Sequence, residues 1–428
     1  MQIQAYSKFF AFIIFVSNFC FADHPNEGKQ SIDQLIKEAE SNNLELQQTQ
    51  ESIQSSKYLL KSLYGKYYPT FSVHSEVLNT KIDSEKNSGT SFFGKSEWNL
   101  YNGGAHSAEI EKAKIAKDLH QKKLQSFKSK IHRDITRLYY EMLFVLESIA
   151  LKERAISMNA EQMKMAIAKR NSGFTSEADV IEFELRESTL KSDLILLHQE
   201  REQKSRQLHV ALSRKADSGP IDFKGHLTHQ ELQLDHDQIV KDMTENNLEL
   251  AEIKSEIASL ELDKTVSTSE FLPRLDIEAK YGKLSNEEKV YQNNDNYSIM
   301  LKASIPIFSG FSSAHSHRSL VSNLAGKKIL WEQKLLALMA EVDISLGQIK
   351  ALHQRLMIEE INLSRSEQYY KITLSEYKRG VKNSPDMVTA SERLLDTRIR
   401  NLEYRRDLML AYLKVHELTN SSVKPYLN

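Results

Sequence analysis

Cysteine is nearly absent from this chain of 428 residues, occurring once, as Cys20. One thiol cannot close a disulfide within the chain or build a cysteine-based zinc or redox site. Helix breakers are also few, with 14 glycines and 7 prolines, and their positions outline the elements. Only Gly326 and Gly347 fall well inside stretches with helical patterning, and no proline does. The net charge is −1, so no global field draws the chain to nucleic acid or to anionic lipid. No apolar run after the N-terminus approaches the ~20 residues of a spanning helix, which leaves open the weaker strand signal of a membrane barrel. No Gly-rich phosphate loop follows a strand, and G-x-S-x-G and H-E-x-x-H are missing. His226, His229 and His236, like His315 and His317, lack the partners and spacing of a metal site. The expectation is a protein that is not an enzyme and holds no metal or cofactor.

The N-terminus reads as a secretory leader. Lys8 precedes the apolar run Phe9 to Val16, and Cys20-Phe21-Ala22 offers small residues at the −3 and −1 positions before Asp23. Cleavage after Ala22 would remove residues 1–22 and with them the thiol. Phe19 stands where a lipoprotein signal carries a small residue.

The rest is written twice. Asn42-Asn43-Leu44-Glu45-Leu46 returns as Asn246-Asn247-Leu248-Glu249-Leu250, and Pro69 as Pro273, both at a spacing of 204 residues. Gly173 returns as Gly380 and Asp179 as Asp386, at 207. The first copy covers 23–213 and the second 236–420. A polar linker, 214–235, joins them, and 421–428 is a tail.

The first copy opens on a helix from about Ser31 to Lys66, ended by Tyr67-Tyr68-Pro69 because the residue before proline is pushed out of the α region. Phe71, Val73 and Val77 then alternate with Ser72, His74 and Glu76, the pattern of a two-faced strand. Leu275, Ile277, Ala279 and Tyr281 alternate with Asp276, Glu278 and Lys280 in the second copy. A polar loop containing Gly89 leads to a strand ending Trp98-Asn99-Leu100-Tyr101, whose counterpart runs from Tyr297 to Phe308. The spacing grows from 204 to 207 across this hairpin, so the extra residues belong in or beside a loop.

A helix from about Ala105 to Arg170 follows, roughly 100 Å long. Ile131, Ile135, Leu138, Met142, Val145, Ile149, Ile156 and Met163 form a heptad seam. The matching residues Leu338, Val342, Ser345, Ile349, Leu352, Leu356, Leu363 and Tyr370 keep it in register. Turns at Gly173 and Gly380 reverse the chain into helices Glu177–Ser213 and Asp386–Thr419. Charged residues on the long helices read as solvated faces, and Tyr139-Tyr140 and Tyr369-Tyr370 as packing.

Four short strands cannot close a barrel, and their edges need partners. Strands of about 10 residues can cross a membrane. Aromatic residues gather near the strand ends, among them Trp98, Tyr101, Phe308 and Phe311. They suit a membrane–water interface and equally an ordinary soluble sheet.

Leu100-Tyr101-Asn102-Gly103-Gly104 resembles the L-F-D-G-G that ends the second strand of TolC-type outer-membrane efflux proteins. Ile305-Pro306-Ile307-Phe308-Ser309-Gly310 resembles the P-I-F-x-G of their second half. Arg170-Asn171-Ser172-Gly173 with Asp179-Val180, and Tyr377-Lys378-Arg379-Gly380 with Asp386-Met387, resemble the two helical tips. The likeness runs in order over about 31–420. It implies an α+β membrane protein in which each chain gives four transmembrane strands and a long coiled-coil wall. Three copies would form a twelve-stranded barrel in outer-membrane lipid, continued by a periplasmic α-barrel. It further implies a passive exit duct for efflux or type I secretion, meeting a periplasmic adaptor and an inner-membrane pump of the RND or ABC type.

The resemblance also assigns the tips. Asp179 and Asp386 match acidic gate positions, Tyr377 a tyrosine linking helices in the closed state, and Lys382 a basic linking residue. Gly173 and Gly380 mark the adaptor-docking turns, and opening would break links such as Tyr377–Asp179. Thr389 replaces a further acidic residue of the best-known members, which removes the second of two expected acidic rings. The residues themselves have a local reading as well: Ser176 with Asp179 is a capping box, and Ser384-Pro385-Asp386 a helix start. The competing reading is a periplasmic adaptor or scaffold, which would carry one helical hairpin flanked by a split β-rich domain. A soluble coiled coil would need neither the leader nor the strands.

Overall fold

The computed structural model describes residues 31–421 apart from 83–84, 216–218, 220, 222, 224, 229–233 and 284–295. The expected leader at 1–22, nearly all of the expected tail, His229 and part of the linker lie outside the described residues.

The duplication is kept residue for residue in the helices. Helices α1 (Ile32–Asn42) and α2 (Leu44–Gly65) recur as α5 (His236–Asn246) and α6 (Leu248–Ser269). Helices α3 (Ala105–Asn171) and α4 (Glu177–Ala211) recur as α7 (Ser312–Lys378) and α8 (Ser384–Leu418). Helix α8 begins at Ser384 rather than Asp386, because Asn383 caps it by accepting the Asp386 amide at 3.1 Å.

The single helix expected from Ser31 to Lys66 is two helices. Asn43 leaves helical geometry at φ −71°, ψ 119°, and its side chain accepts the Leu46 amide at 3.0 Å. Asn247 does the same at φ −62°, ψ 127°, capping Glu249 and Leu250. Asparagine is a strong N-cap because its short side chain replaces the missing helical acceptor. The Asn-Asn pairs that mark the duplication are therefore the bends at which each copy turns from a short helix into a longer one.

Strands β1 (Thr70–Ile82), β2 (Glu85–Asn102), β3 (Arg274–Lys283) and β4 (Asn296–Ser304) form one antiparallel sheet in that order. Thr70 faces Glu97 as Arg274 faces Ser304, and His74 faces Phe93 as Glu278 faces Met300. The spacings of 204 and 207 thus hold for individual residue pairs. Gly89 lies inside β2 opposite Leu78, not in a loop, because the first hairpin stays paired out to Ile82 and Glu85. Strand β4 ends at Ser304, short of the expected Phe308. Pro306 has no amide to donate, and this side of β4 has no partner strand among the described residues.

The middle of α3 and α7 carries the core. Ile131, Ile135, Leu138, Met142, Val145 and Ile149 are buried, as are Leu338, Val342, Ser345, Ile349 and Leu356. The seam fades to half-buried at Ile156 and Met163. Helices α1 and α5, the ends of α4 and α8, and Phe223 and Leu227 of the linker wrap this belt. Tyr139 and Tyr140 are buried within it.

Toward the sheet the helices are joined by charge. Helix α6 pairs with α3 through Asp263–Lys112 and Glu252–Lys123. It pairs with α7 through Glu256–Lys327, Glu261–Lys328 and Glu249–Lys334. These side chains are therefore not merely solvated faces. Helix α6 fully buries only Leu250, Ala251 and Ser269, with Ile253, Ile257, Leu260, Leu262 and Val266 half-buried, and the ladder adds partly exposed ion pairs to that apolar contact.

Candidate functional site at the hairpin tips and the sheet

At the two tips the chain reverses through glycines with φ of 74° (Gly173) and 82° (Gly380), a region that costs other residues more. Phe174 donates its amide to the Lys169 carbonyl at 2.9 Å, and Val381 to that of Glu376 at 3.0 Å. Both are the six-to-one closure that satisfies the last carbonyls of a helix. The next helix then opens on a capping box in each hairpin, with Asp179 and Asp386 at its third position.

Asp179 does more than cap. One carboxylate oxygen accepts from the Ser176 amide at 3.2 Å, the Ser176 hydroxyl at 3.0 Å and the Thr175 hydroxyl. The other accepts the Ser384 amide at 3.3 Å, across to the second hairpin. The Thr175 hydrogen bond leads, against desolvation, in holding the carboxyl from 3.8 down to about 2. The free amides at the start of α8 and the positive end of its dipole favour this anion.

Tyr377 lies buried in the last turn of α7, with its hydroxyl 3.4 Å from that of Ser384. Its ring meets Phe183 edge-on at 6.1 Å. Lys169 of α3 donates to the Tyr377 carbonyl and sits 4.0 Å from the ring centre. Burial pushes the Tyr377 hydroxyl pKa up and the Lys169 amine pKa down. Ala166, Val180, Met387 and Val388 complete a small apolar core around this contact.

The expected link between Tyr377 and Asp179 is therefore relayed and not direct. Ser384 stands between them, offering its hydroxyl to one and its amide to the other. Lys382 lies 3.7 Å from Asp386 on its own hairpin, so neither residue reaches the first hairpin. Thr389 is exposed. Sequence patterning gives Ser384 only a helix-start role and gives Lys169 and Thr175 none at the tip. A basic residue in a helix's last turn and a Ser at a helix start were the only signals, and both have ordinary local explanations.

At the far end the sheet has two unlike faces. Phe71 is 80% exposed, Val77 78%, Tyr297 77% and Ile299 73%. The opposite face pairs Lys95 with Glu97 and Glu278, and Asn99 donates to Asp276 at 2.7 Å. Trp98 donates from Nε1 to the Tyr67 carbonyl at 2.8 Å, and Phe308 meets Phe311 edge-on at 5.3 Å. Tyr101 is also exposed. No helix among the described residues is long and apolar enough to cross a membrane.

The family model described as outer membrane efflux protein matches residues 35–214 and 239–421, one match in each copy. The chain belongs to the outer membrane efflux protein family. Its fold is similar to the outer-membrane channel OprN, with a TM-score of 0.78, 14% identity, and coverage of 91% of this chain and 89% of that one. It is similar to CusC at 0.80 and 13%, covering 92% and 95%, and to VceC of Vibrio cholerae at 0.78 and 12%, covering 92% and 97%. No match is found among curated proteins.

As an outer membrane efflux protein the chain is an exit duct and not an enzyme; it resides in the outer membrane and extends into the periplasm. Membership implies homotrimer assembly and work with an adaptor and an inner-membrane pump. The scaffold alternative, with a single helical hairpin, does not fit two matched copies. One motif of this efflux protein has a plain steric reason. Gly103, at φ 69°, lies so close to the end of α6 that a Cβ would stand 2.8 Å from that of Ser269.

Proposed function

We propose that three copies of this chain close their sheets into one barrel, continued by a helical tunnel whose tips form the gate. The observation that carries this reading is the four-stranded sheet, apolar and exposed on one face, polar on the other, with β1 and β4 as open edges. In hydrocarbon every backbone group needs a partner, so strands cross a membrane only as a closed barrel. One chain supplies too few strands, and three supply twelve. Trp98, Tyr101, Phe308 and Phe311 would sit at the membrane–water interface. Residues 1–22 would act as the leader that brings the chain to the periplasm.

At the other end, Asp179, Tyr377, Lys382 and Asp386 are proposed as gate residues, and the Gly173 and Gly380 turns as the surface that meets the adaptor. The pump is of the RND type, or of the ABC type that serves type I secretion. The polar duct takes what the pump delivers. The test is fractionation and electrophysiology. Heat-resistant trimers in outer-membrane fractions, with discrete conductance in planar bilayers, support the reading. Recovery as a soluble periplasmic monomer overturns it.

A further inference from the structure

The duplication makes the inner junction of one chain a template for the junction between chains. Inside the chain, β2 of the first copy pairs with β3 of the second: Gly94 faces Tyr281, Lys95 faces Lys280 and Trp98 faces Ile277. Below this junction α3 lies against α6, with Gly103 pressed on Ser269. Each participant has an unused equivalent. Strand β4 repeats β2 and β1 repeats β3, and both are edges. Gly310 repeats Gly103 and Gly65 repeats Ser269, and at each of them an added Cβ would meet nothing within 4 Å.

From this duplication we infer that β4 of one copy receives β1 of a second copy in the register of the β2–β3 junction, so that Leu301 faces Val77, Lys302 faces Glu76 and Ile305 faces Val73. This rests on the trimeric reading and gives it residue-level content. The mapping is internally checked, since the same spacings carry the β1–β2 pairs onto the β3–β4 pairs. It is also chemically consistent. Leu301, Val77 and Val73 are exposed, apolar and on one face of the sheet, and Ile305, exposed just beyond β4, continues the same alternation in sequence. Lys302 and Glu76 fall on the other face with opposite charges, where the inner junction has two lysines. A slip by one residue would turn every apolar side chain to the wrong face. Pairing would also give a partner to the exposed segment beyond Ser304, where Ile307 is 97% exposed.

The helices below explain how the two junctions avoid exchanging partners. The inner one carries Lys112–Asp263 and Lys123–Glu252. At the equivalent outer positions α7 has Ser319 and Leu330, and α2 has Leu59 and Gln48. At these positions the acids of α6 match the lysines of α3, whereas Ser319 and Leu330 offer them no charge and Leu59 and Gln48 offer none to the α3 lysines. Opposite charges thus select the inner pairing and neutral faces the outer one.

The test uses the full chain with Cys20→Ser, so that engineered thiols are the only ones. Val77→Cys with Leu301→Cys should oxidise to covalent oligomers at least tenfold more efficiently than Val77→Cys with Ile299→Cys, the same face two residues out of register. Val77 and Leu301 lie on opposite edges with two strands between them, so a bridge has to join two copies. Equal or better bridging of Val77 to Ile299 overturns the register, as does the absence of either bridge in a chain that still runs as an oligomer. Lys302→Glu should weaken the oligomer, and Lys302→Glu with Glu76→Lys should restore it. No rescue by the double change counts against the pairing. Light scattering of the unmutated chain separates the two levels, because a monomer there overturns the trimeric reading itself.

Discussion

The Ser384 amide donates to the Asp179 carboxylate at 3.3 Å, and this bond ties the start of α4 to the start of α8 across the two hairpins. A hydrogen bond to a charged group contributes about 1.5–3 kcal/mol. Losing it in Asp179→Ala should raise the open fraction about tenfold or more, since 1.4 kcal/mol is a factor of ten. Single-channel conductance in planar bilayers reads this directly. Ser176→Ala, which removes the cap and leaves the cross-hairpin bond, should leave the open fraction close to that of the unmutated channel. If Ser176→Ala opens the channel as much as Asp179→Ala, the tie has no role of its own.

Tyr377 and Lys382 should then differ in effect. Tyr377→Phe removes a hydroxyl that is buried against Ser384 at 3.4 Å, a long contact whose loss costs about 1 kcal/mol or less. The open fraction should rise severalfold. Lys382→Ser breaks only the 3.7 Å pair with Asp386 on the same hairpin, and exposed pairs contribute little. Conductance of Lys382→Ser alone should match that of the unmutated channel, and a large increase would mean that Lys382 reaches a neighbouring chain.

What sequence could and could not disclose follows from the kind of geometry involved. The seam from Ile131 to Ile149 was legible because a heptad is a one-dimensional spacing. The strands of the two hairpins were legible for the same reason, except near Gly89, where a low strand propensity masked a paired residue. The bend at Asn43 escaped because apolar periodicity continues through Leu46, and asparagine reads as an ordinary helix-surface residue until its capping geometry is known. The Lys169–Tyr377 and Asp179–Ser384 contacts join different hairpins. No local pattern encodes which residues of two distant helix ends will meet.

Acid should release the tip. The Asp179 carboxyl is held from 3.8 down to about 2, chiefly by the Thr175 hydroxyl. The depressed value means that its stabilisation is complete above 3.8 and is lost as pH falls toward 2. Open probability set by this group should be flat from pH 8 to about 5 and rise below about 4. Thr175→Val should move the rise to higher pH, and Asp179→Asn should remove it. A rise centred near neutral pH would assign the switch to another group.

The two helix bends should differ in cost. Asn43→Ala removes one cap and should lower stability by about 1 kcal/mol. Asn247→Ala removes a cap as well as the buried bond from its Nδ2 to the Leu418 carbonyl at 3.0 Å. Both partners of that bond are buried, so the loss should be roughly 2–3 kcal/mol. Thermal unfolding of the purified chain should rank them with Asn247→Ala clearly the lower, and equal midpoints would contradict the buried bond.

The ladder around α6 should make the sheet-proximal half of the duct sensitive to salt. Asp263, Glu252, Glu256, Glu261 and Glu249 all face lysines on α3 or α7. Each pair is partly exposed and contributes at most about 1 kcal/mol, so a single neutralisation such as Glu256→Gln should shift the unfolding midpoint little. Reversing Glu252 and Asp263 together to lysine places like charges against Lys123 and Lys112, against which α6 has only a partly buried apolar face. Raising salt from 0.05 to about 1 M shortens the screening length to about 3 Å. Hydrogen exchange should then quicken in α6 and stay slow in the belt around Tyr139. Uniform quickening across both regions would show that the upper wall is held by something other than its charges.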